Sequence, residues 1–235
     1  MNWQVVCDFD GTIANEDVTD GLLERFAGPA WVAIEAAWRS GEISGRECMA
    51  RQIDLLQAGQ DDIDAYLATV DIDPEFAAFA EFCRTNGLSL RVVSDGLDYV
   101  IHNILGRHGL DHLLVVANQF EAIGNGRYRL RFPHFRTDCE SGSGTCKCGV
   151  ARQAGAASTW TLLIGDGASD YCLAASADFV FAKGKLLNFC KENLLPHRGF
   201  ADFGEAREAL ASMLQSKSAQ PFGRMITVEE DVLNG

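Results

Sequence analysis

Val5-Val6-Cys7-Asp8-Phe9-Asp10-Gly11-Thr12 is the stretch that decides the fold of this 235-residue chain. Its first half continues an apolar run that starts at Trp3 and is typical of a buried strand, and two carboxylates follow where that strand should end. Because side chains alternate along an extended chain, Asp8 and Asp10 should point to the same side. Two carboxylates this close repel each other unless a cation joins them. The stretch therefore predicts a buried strand with a ligand site at its carboxyl end.

Two other apolar runs end in the same kind of polar, glycine-containing turn. Residues 88–93 lead into Ser94-Asp95-Gly96, and residues 161–164 lead into Gly165-Asp166-Gly167-Ala168-Ser169-Asp170. In an open parallel sheet, ligands bind at the carboxyl ends of the strands. We therefore expect the three turns to meet in one crevice that holds carboxylates, a hydroxyl and backbone N–H groups.

Strand and helix patterns alternate along most of the chain, which is typical of an α/β protein. The dipeptide Asn125-Gly126 predicts a hairpin within residues 118–132. The predicted fold class is a Rossmann-like parallel sheet with helices on both faces. Strands are predicted at residues 3–7, 88–93, 113–116, 161–164 and 178–181, and helices at residues 74–86, up to about 107, from about 147, at 185–193 and at 204–215.

Residues from about 16 to 70 depart from this alternation, because their apolar residues recur at helical spacing between short glycine breaks. They predict a bundle of four helices inserted after the first strand. The predicted organisation is a core of residues 1–14 and 75–215, a helical cap of residues 15–74, and a mobile tail of residues 216–235.

The charge balance limits the class of partner. The chain carries 20 Lys and Arg against 33 Asp and Glu, a net charge of −13. Such a surface repels nucleic-acid backbones and anionic membranes, so neither is expected as a partner. A phosphorylated metabolite remains possible where a metal ion, a lysine or backbone N–H groups supply local positive charge. The start of the chain lacks the basic region of a signal peptide, which predicts a cytoplasmic protein. Nothing in the sequence predicts the oligomeric state.

The eight cysteines do not form the pattern of a disulfide scaffold, and the chain is long enough to bury a core without one. Most are expected to be reduced thiols. Cys139, Cys146 and Cys148 lie close to His134 in a Gly/Ser-rich loop. Three states remain open for them: a structural zinc site, a disulfide within the loop, and free thiols.

Four motifs in order along the chain resemble those of the haloacid dehalogenase superfamily of phosphatases. Residues 6–13 resemble the first motif, Ser94 the second, Lys147 the third and residues 165–170 the fourth. The resemblance covers about residues 4–215, and the helices between the first two motifs are similar to the cap of the phosphoserine phosphatase branch. It implies an enzyme that hydrolyses a small phosphorylated metabolite with Mg²⁺ through an aspartyl phosphate.

The resemblance also implies a role for each motif residue. Asp8 would be the nucleophile, and Asp10 would act first as general acid and then as general base. Mg²⁺ would be held by Asp8, by the backbone carbonyl of Asp10 and by Asp166. Asp170 would bind metal-bound water or orient Lys147, and Thr12 would hydrogen-bond within its own turn. The phosphate oxygens would be held by Ser94, Asp95, Gly96 and Lys147, of which Lys147 also supplies catalytic positive charge.

The substrate is less closely defined by the resemblance. The Cys-rich loop before Lys147 and residues 181–187 resemble the methionine-salvage phosphatases that act on 2-hydroxy-3-keto-5-methylthiopentenyl-1-phosphate. The Cys146-Lys147 junction is also similar to phosphocholine/phosphoethanolamine phosphatases. Arg46 and Asp17 instead resemble substrate-binding residues of phosphoserine phosphatase.

Several other activities remain as alternatives. A phosphotransferase would pass the aspartyl phosphate to an alcohol, and two non-enzyme classes are a phosphate-binding module and a phospho-acceptor switch. The presence of both Asp8 and Asp10 favours an enzyme.

Overall fold

A computed structural model describes residues 2–139, 141–154 and 159–215. Within these ranges, seven strands form one sheet in the order β4-β3-β2-β1-β5-β6-β7. The strands are β1 (Asn2–Cys7), β2 (Ser89–Leu97), β3 (Leu114–Gly124), β4 (Arg127–Arg131), β5 (Thr159–Gly165), β6 (Phe179–Ala182) and β7 (His197–Gly199). The predicted tail, residues 216–235, lies outside the described residues.

Helices connect most of these strands. They are α1 (Val18–Phe26), α2 (Trp31–Arg39), α3 (Gly45–Ile53), α4 (Gln60–Leu67), α5 (Phe76–Thr85), α6 (Asp98–Arg107), α7 (Lys147–Ala154), α8 (Tyr171–Ala174), α9 (Gly184–Glu192) and α10 (Phe203–Gln215). A 3₁₀ turn, Ala168–Asp170, precedes α8. No helix in the described part of the chain combines the length and the apolar character needed to cross a membrane.

Strand β1 lies at the centre of the sheet and pairs in parallel with β2 on one side and β5 on the other. Cys7, its last residue, lies opposite Val92 of β2 and Ile164 of β5. The three strands therefore end at the same edge, and the polar turns that follow them are brought side by side. This arrangement confirms the predicted α/β fold with a Rossmann-like sheet.

The hairpin differs from the prediction in its extent. The predicted short strand at residues 113–116 and the first arm of the hairpin are one continuous strand, β3, which pairs in parallel with β2 and antiparallel with β4. The chain reverses at Asn125 and Gly126, whose φ angles of 53° and 68° belong to the left-handed region. This is the backbone of a two-residue hairpin turn. The sheet is therefore mixed at this edge and parallel elsewhere.

Alternation along β1 divides the core between the two faces of the sheet. Val5 and Cys7 belong to the larger apolar cluster, which includes buried residues of α5, α6 and α10. Val6 belongs to a second cluster that includes buried residues of α7, α8 and α9. A strand that is buried on both faces has a continuous run of apolar residues, and Val5-Val6-Cys7 is such a run.

The four helices α1 to α4 form the segment predicted as a cap. The two ends of this segment run side by side, because Ala14 and Ile72 form an antiparallel bridge. The segment also contacts the hairpin: Ala58 donates its backbone N–H to the carbonyl of Gly126 at 3.0 Å. The hydroxyl of Tyr128 donates to the carbonyl of Ala58 at 3.1 Å. These bonds hold the helical segment against the hairpin of β3 and β4.

Candidate active site

A buried lysine lies between two carboxylates at the carboxyl edge of the sheet. The Lys147 Nζ lies 2.6 Å from Asp8 Oδ2 and 2.5 Å from Asp170 Oδ1, and all three side chains are buried. The same ammonium group donates to Ser169 Oγ at 3.0 Å. Burial by itself lowers the pKa of Lys147, but Asp170 and Asp8 outweigh it and raise the pKa above its usual value. Lys147 is therefore a fixed positive charge beside Asp8.

Asp166 adds a third carboxylate to the same place. Oxygen atoms of Asp8, Asp166 and Asp170 lie within 4.8 Å of one another. Asp166 accepts a hydrogen bond from the Thr12 hydroxyl at 3.1 Å. Burial first, and then the charge of Asp8, raises the pKa of Asp166. Three carboxylates that share one lysine retain an excess of negative charge, and their oxygen-only donor set fits a hard divalent cation.

Asp10 is oriented differently from Asp8. Its Oδ1 accepts the backbone N–H of Val18 at 2.9 Å, at the start of α1, and its Oδ2 lies 3.5 Å from Ser94 Oγ. Its carboxylate is therefore not part of the Asp8 cluster, as expected if Asp10 contributes its backbone carbonyl to a cation. Burial and the nearby charge of Asp17 raise the pKa of Asp10. A carboxyl group with a raised pKa can carry the proton that a general acid needs.

Two glycines allow these carboxylates to approach the backbone. Gly11 has a φ of 67°, and a Cβ at this position would lie 2.6 Å from Asp166 Oδ2. A Cβ at Gly96 would lie 2.5 Å from Asp10 Oδ2. Both contacts are too close for a carbon atom, so these two positions admit only glycine without a shift of the site.

The second turn, Ser94-Asp95-Gly96, faces the site through Ser94. The hydroxyl of Ser94 accepts the backbone N–H of Gly96 at 2.9 Å. The Asp95 carboxylate points elsewhere: its Oδ1 accepts the backbone N–H of Thr145 at 2.9 Å and the amide of Asn118 at 3.1 Å. Burial raises the pKa of Asp95, although these donors oppose the shift. Any contact of Asp95 with phosphate is therefore left to its backbone N–H.

The two residues singled out in the predicted cap are both exposed to solvent, and Asp17 lies next to Val18, which binds Asp10. Asp17 is exposed and caps α1, because its Oδ1 accepts the backbone N–H of Asp20 at 2.9 Å. Arg46 is exposed at the start of α3, and its guanidinium stacks 4.1 Å above the ring of Phe135. Its backbone N–H donates to the carbonyl of Gly142 at 3.1 Å. Arg46 thus joins α3 to the loop that precedes Lys147.

The three cysteines near Lys147 do not share one state. Cys148 forms a disulfide with Cys172, which lies outside the loop, so the expectation of a free or loop-bound Cys148 is wrong. Cys139 and Cys146 are free thiols. The only set of three or more metal-binding side chains in the described part of the chain is the Asp8 cluster, which leaves the zinc alternative without support.

The chain also matches known proteins. A family model described as haloacid dehalogenase-like hydrolase matches residues 5–175. The chain belongs to this family. A 2-hydroxy-3-keto-5-methylthiopentenyl-1-phosphate phosphatase of Brevibacillus brevis is 32% identical over 212 residues, which cover 89% of this chain and 95% of that protein. The phosphatase of the same name from Bacillus velezensis is 30% identical over 224 residues and covers 92% and 95%.

The structural likeness agrees with this assignment. A substrate-bound phosphoserine phosphatase superposes with a TM-score of 0.65 and covers 89% of this chain and 98% of its own. At 18% identity this likeness shows a shared fold and does not by itself show a shared activity. The relatives named above make this haloacid dehalogenase-like hydrolase an enzyme, a phosphatase. The non-enzyme alternatives are therefore not supported.

Sequence reasoning missed some residues of this hydrolase's site. Ser169 contacts Lys147, and its hydroxyl lies 3.5 Å from Asp8 Oδ2. Its place inside the fourth motif was the available signal. Asn118 and Thr145 are fully buried and hold the Asp95 carboxylate, yet no local pattern marks either of them. Their role depends on contacts between segments that are far apart in the sequence.

Proposed function

We propose that this phosphatase hydrolyses 2-hydroxy-3-keto-5-methylthiopentenyl-1-phosphate, or a close analogue with a neutral tail, through an aspartyl phosphate on Asp8. The observation that carries the chemistry is the ammonium group of Lys147, 2.6 Å from Asp8 and 2.5 Å from Asp170. The names of the relatives at 30–32% identity support the substrate.

In the first step, a carboxylate oxygen of Asp8 attacks phosphorus, and the bond from phosphorus to the ester oxygen breaks. Asp10 gives its proton to the departing alkoxide, which leaves as an alcohol. The raised pKa of Asp10 favours the protonated form that this step requires. Lys147 and Ser94 hold the phosphate oxygens, whose negative charge would otherwise oppose the approach of Asp8.

In the second step, the same Asp10, now ionised, takes a proton from a water molecule. The water oxygen attacks phosphorus, and the acyl phosphate bond breaks to release inorganic phosphate and the free carboxylate of Asp8. Asp170 keeps Lys147 in place through both steps, because its other oxygen accepts the backbone N–H groups of Asp166 and Gly167 at 3.2 Å.

Mg²⁺ is the cation we assign to the Asp8 cluster. Asp8, Asp166 and the backbone carbonyl of Asp10 would hold it, and hard oxygen ligands of this kind suit Mg²⁺. When bound, it neutralises charge between the carboxylates and the phosphate.

Removal of divalent cations should therefore abolish activity. We expect EDTA to stop release of phosphate from p-nitrophenyl phosphate, Mg²⁺ to restore it, and Ca²⁺ to inhibit, since Ca²⁺ takes looser coordination with more ligands. The measurement is the initial rate after dialysis against EDTA and titration with each metal. Full activity in metal-free buffer would contradict the assignment.

The cap favours a substrate without a carboxylate. Phosphoserine needs a cation for its carboxylate, and Arg46 is instead stacked on Phe135 at the surface. Asp17 precedes Val18, whose backbone N–H binds Asp10, so a second carboxyl group lies close to the reacting groups. A neutral tail avoids both difficulties. The same acidic residue favours, as a second candidate, an ester with a cationic tail such as phosphocholine.

A panel of phosphate esters tests this proposal. We expect the highest kcat/KM for the methylthiopentenyl ester, lower values for phosphocholine and the lowest for phosphoserine. Arg46→Ala should leave the order unchanged, as should the control Arg51→Ala, a second exposed arginine on α3. A preference for phosphoserine that is lost in Arg46→Ala but kept in Arg51→Ala would overturn the proposal. A preference for phosphocholine that Asp17→Asn removes would establish the second candidate.

A further inference from the structure

We infer that Asp95 is a positioning residue, whose half-buried carboxylate holds the loop before Lys147 in the place where Lys147 can reach the phosphate. The inference rests on the aspartyl phosphate chemistry proposed above and goes beyond it. It begins with the backbone of β2, whose pairing with β3 shifts register between Val93 and Leu97. Residues 94–96 therefore lie out of line with the ladder, and their polar groups need partners from other segments.

Asn118 of β3 supplies one of these partners. Its amide donates to the backbone carbonyl of Asp95 at 2.6 Å and to the Asp95 carboxylate at 3.1 Å. Its own carbonyl oxygen accepts the hydroxyl of Thr145 at 3.1 Å. Asn118 and Thr145 are both completely buried. The second motif, β3 and the loop before α7 are thus joined by one hydrogen-bond network, in which Asn118 and Thr145 are buried and Asp95 is half-buried.

The carboxylate of Asp95 makes the decisive contact in this network. It accepts the backbone N–H of Thr145 at 2.9 Å, two residues before Lys147. The loop packs closely here, since a Cβ at Gly144 would lie 2.6 Å from Asn118 Oδ1 and 2.5 Å from the ring of Phe132. The neighbouring backbone N–H, that of Cys146, is bound to the carbonyl of His134 at 3.1 Å.

Loss of the Asp95 carboxylate would leave the buried N–H of Thr145 without its acceptor, which is costly. The amide of Asn118 would lose one acceptor and keep the backbone carbonyl of residue 95. The loop would then move to reach water or another acceptor, and α7 begins at Lys147. A displacement of about 1 Å at a catalytic group can reduce a rate by about 100-fold. The role of Asp95 is therefore exerted through Lys147 and not through contact of its carboxylate with substrate.

The test uses p-nitrophenyl phosphate, so that it does not depend on the identity of the natural substrate. We expect Asp95→Ala to lower kcat by about 10- to 100-fold and to weaken inhibition by orthovanadate, which occupies the phosphate position. Asp95→Asn keeps an oxygen that can accept from Thr145 and Asn118, so it should recover most of the lost kcat. The thermal unfolding midpoint of each variant is measured alongside.

Asp98 provides a matched control, because its carboxylate also accepts backbone N–H groups, those of Tyr99 and Phe120, without reaching the loop. Asp98→Ala should lower the unfolding midpoint but keep the wild-type kcat.

The inference is overturned if Asp95→Ala retains full kcat, if Asp95→Asn is as slow as Asp95→Ala, or if Asp98→Ala is equally slow. If Asp95→Ala does not fold, Asp95→Leu replaces it, because leucine fills a similar space without an acceptor for Thr145; a comparable loss of kcat supports the inference and an unchanged kcat overturns it. A wild-type enzyme that cleaves the aryl ester but not the methylthiopentenyl ester would refute the proposed substrate alone.

Discussion

Asp8→Asn should reduce phosphate release by about 10⁴-fold or more, because loss of a covalent nucleophile removes the whole reaction path and not one contact. Asp8 directly follows the central strand and lies 2.6 Å from Lys147, the position that we assign to the nucleophile. The oxygen of an amide is neutral and a poor nucleophile, so the variant cannot form the aspartyl phosphate. The measurement is the steady-state rate with p-nitrophenyl phosphate, together with mass spectrometry of the acid-quenched enzyme. The wild type should gain a phosphoryl group on the peptide that contains Asp8, and the variant should not.

Two controls separate chemistry from folding in this experiment. The circular dichroism spectrum of Asp8→Asn should match the wild type, because the side chain keeps its shape. Asp61→Asn, an exposed carboxylate in the first turn of α4, makes the same chemical change away from the site and should keep full activity. Turnover by Asp8→Asn at more than a few per cent of the wild-type rate would refute the assignment of the nucleophile.

Lys147→Met should damage both activity and stability. Methionine fills a similar volume but leaves Asp8 and Asp170 buried beside each other without their cation. Removing one partner from a buried ion pair typically costs about 3–5 kcal/mol of unfolding free energy. The phosphate oxygens also lose a donor, which on the scale of other electrostatic donors lowers kcat by about 10²–10³-fold. Urea unfolding in EDTA and the aryl phosphate assay measure the two effects.

A double variant tests whether the lost stability comes from uncompensated charge. Lys147→Met with Asp170→Asn removes one carboxylate together with the lysine, so it should be more stable than Lys147→Met alone. Activity should remain low, because the positive charge beside Asp8 is still missing. A single variant as stable as the wild type, or a double variant less stable than the single one, would show that Lys147 is not held mainly by these charges.

Some strands and turns were predictable, because the residues that specify them lie close together in the sequence. An apolar run followed by Asp8-Phe9-Asp10-Gly11 predicts a buried strand and a turn, and Asn125-Gly126 predicts a reversal through its tolerance of positive φ. The continuity of β3 was not predictable in the same way. It depends on pairing with β2 on one side and β4 on the other, which are contacts that only the assembled sheet provides.

The same distinction applies to the site: its residues were predictable, but the orientation of each side chain was not. Asp8, Asp166, Asp170 and Lys147 were expected together, since parallel strands that share a sheet bring their carboxyl ends to one edge. The orientation of a side chain within that edge depends on which hydrogen-bond donors surround it. For Asp95 the donors are Thr145 and Asn118, which are 50 and 23 residues away in sequence. The Asp95 carboxylate therefore bonds to the loop and to β3, while contact of its backbone with phosphate stays a prediction.

The sequence by itself determined the fold class, the family and the set of charged groups at the carboxyl edge of the sheet, because these follow from apolar periodicity and from motifs within a few residues of each other. Only the tertiary structure decided where those groups point. It turned Asp10 towards the first N–H of α1, stacked Arg46 on Phe135, and paired Cys148 with Cys172. Each of these contacts joins residues from segments that are separated in the sequence. The partner of each residue is therefore in reach only once the chain has folded.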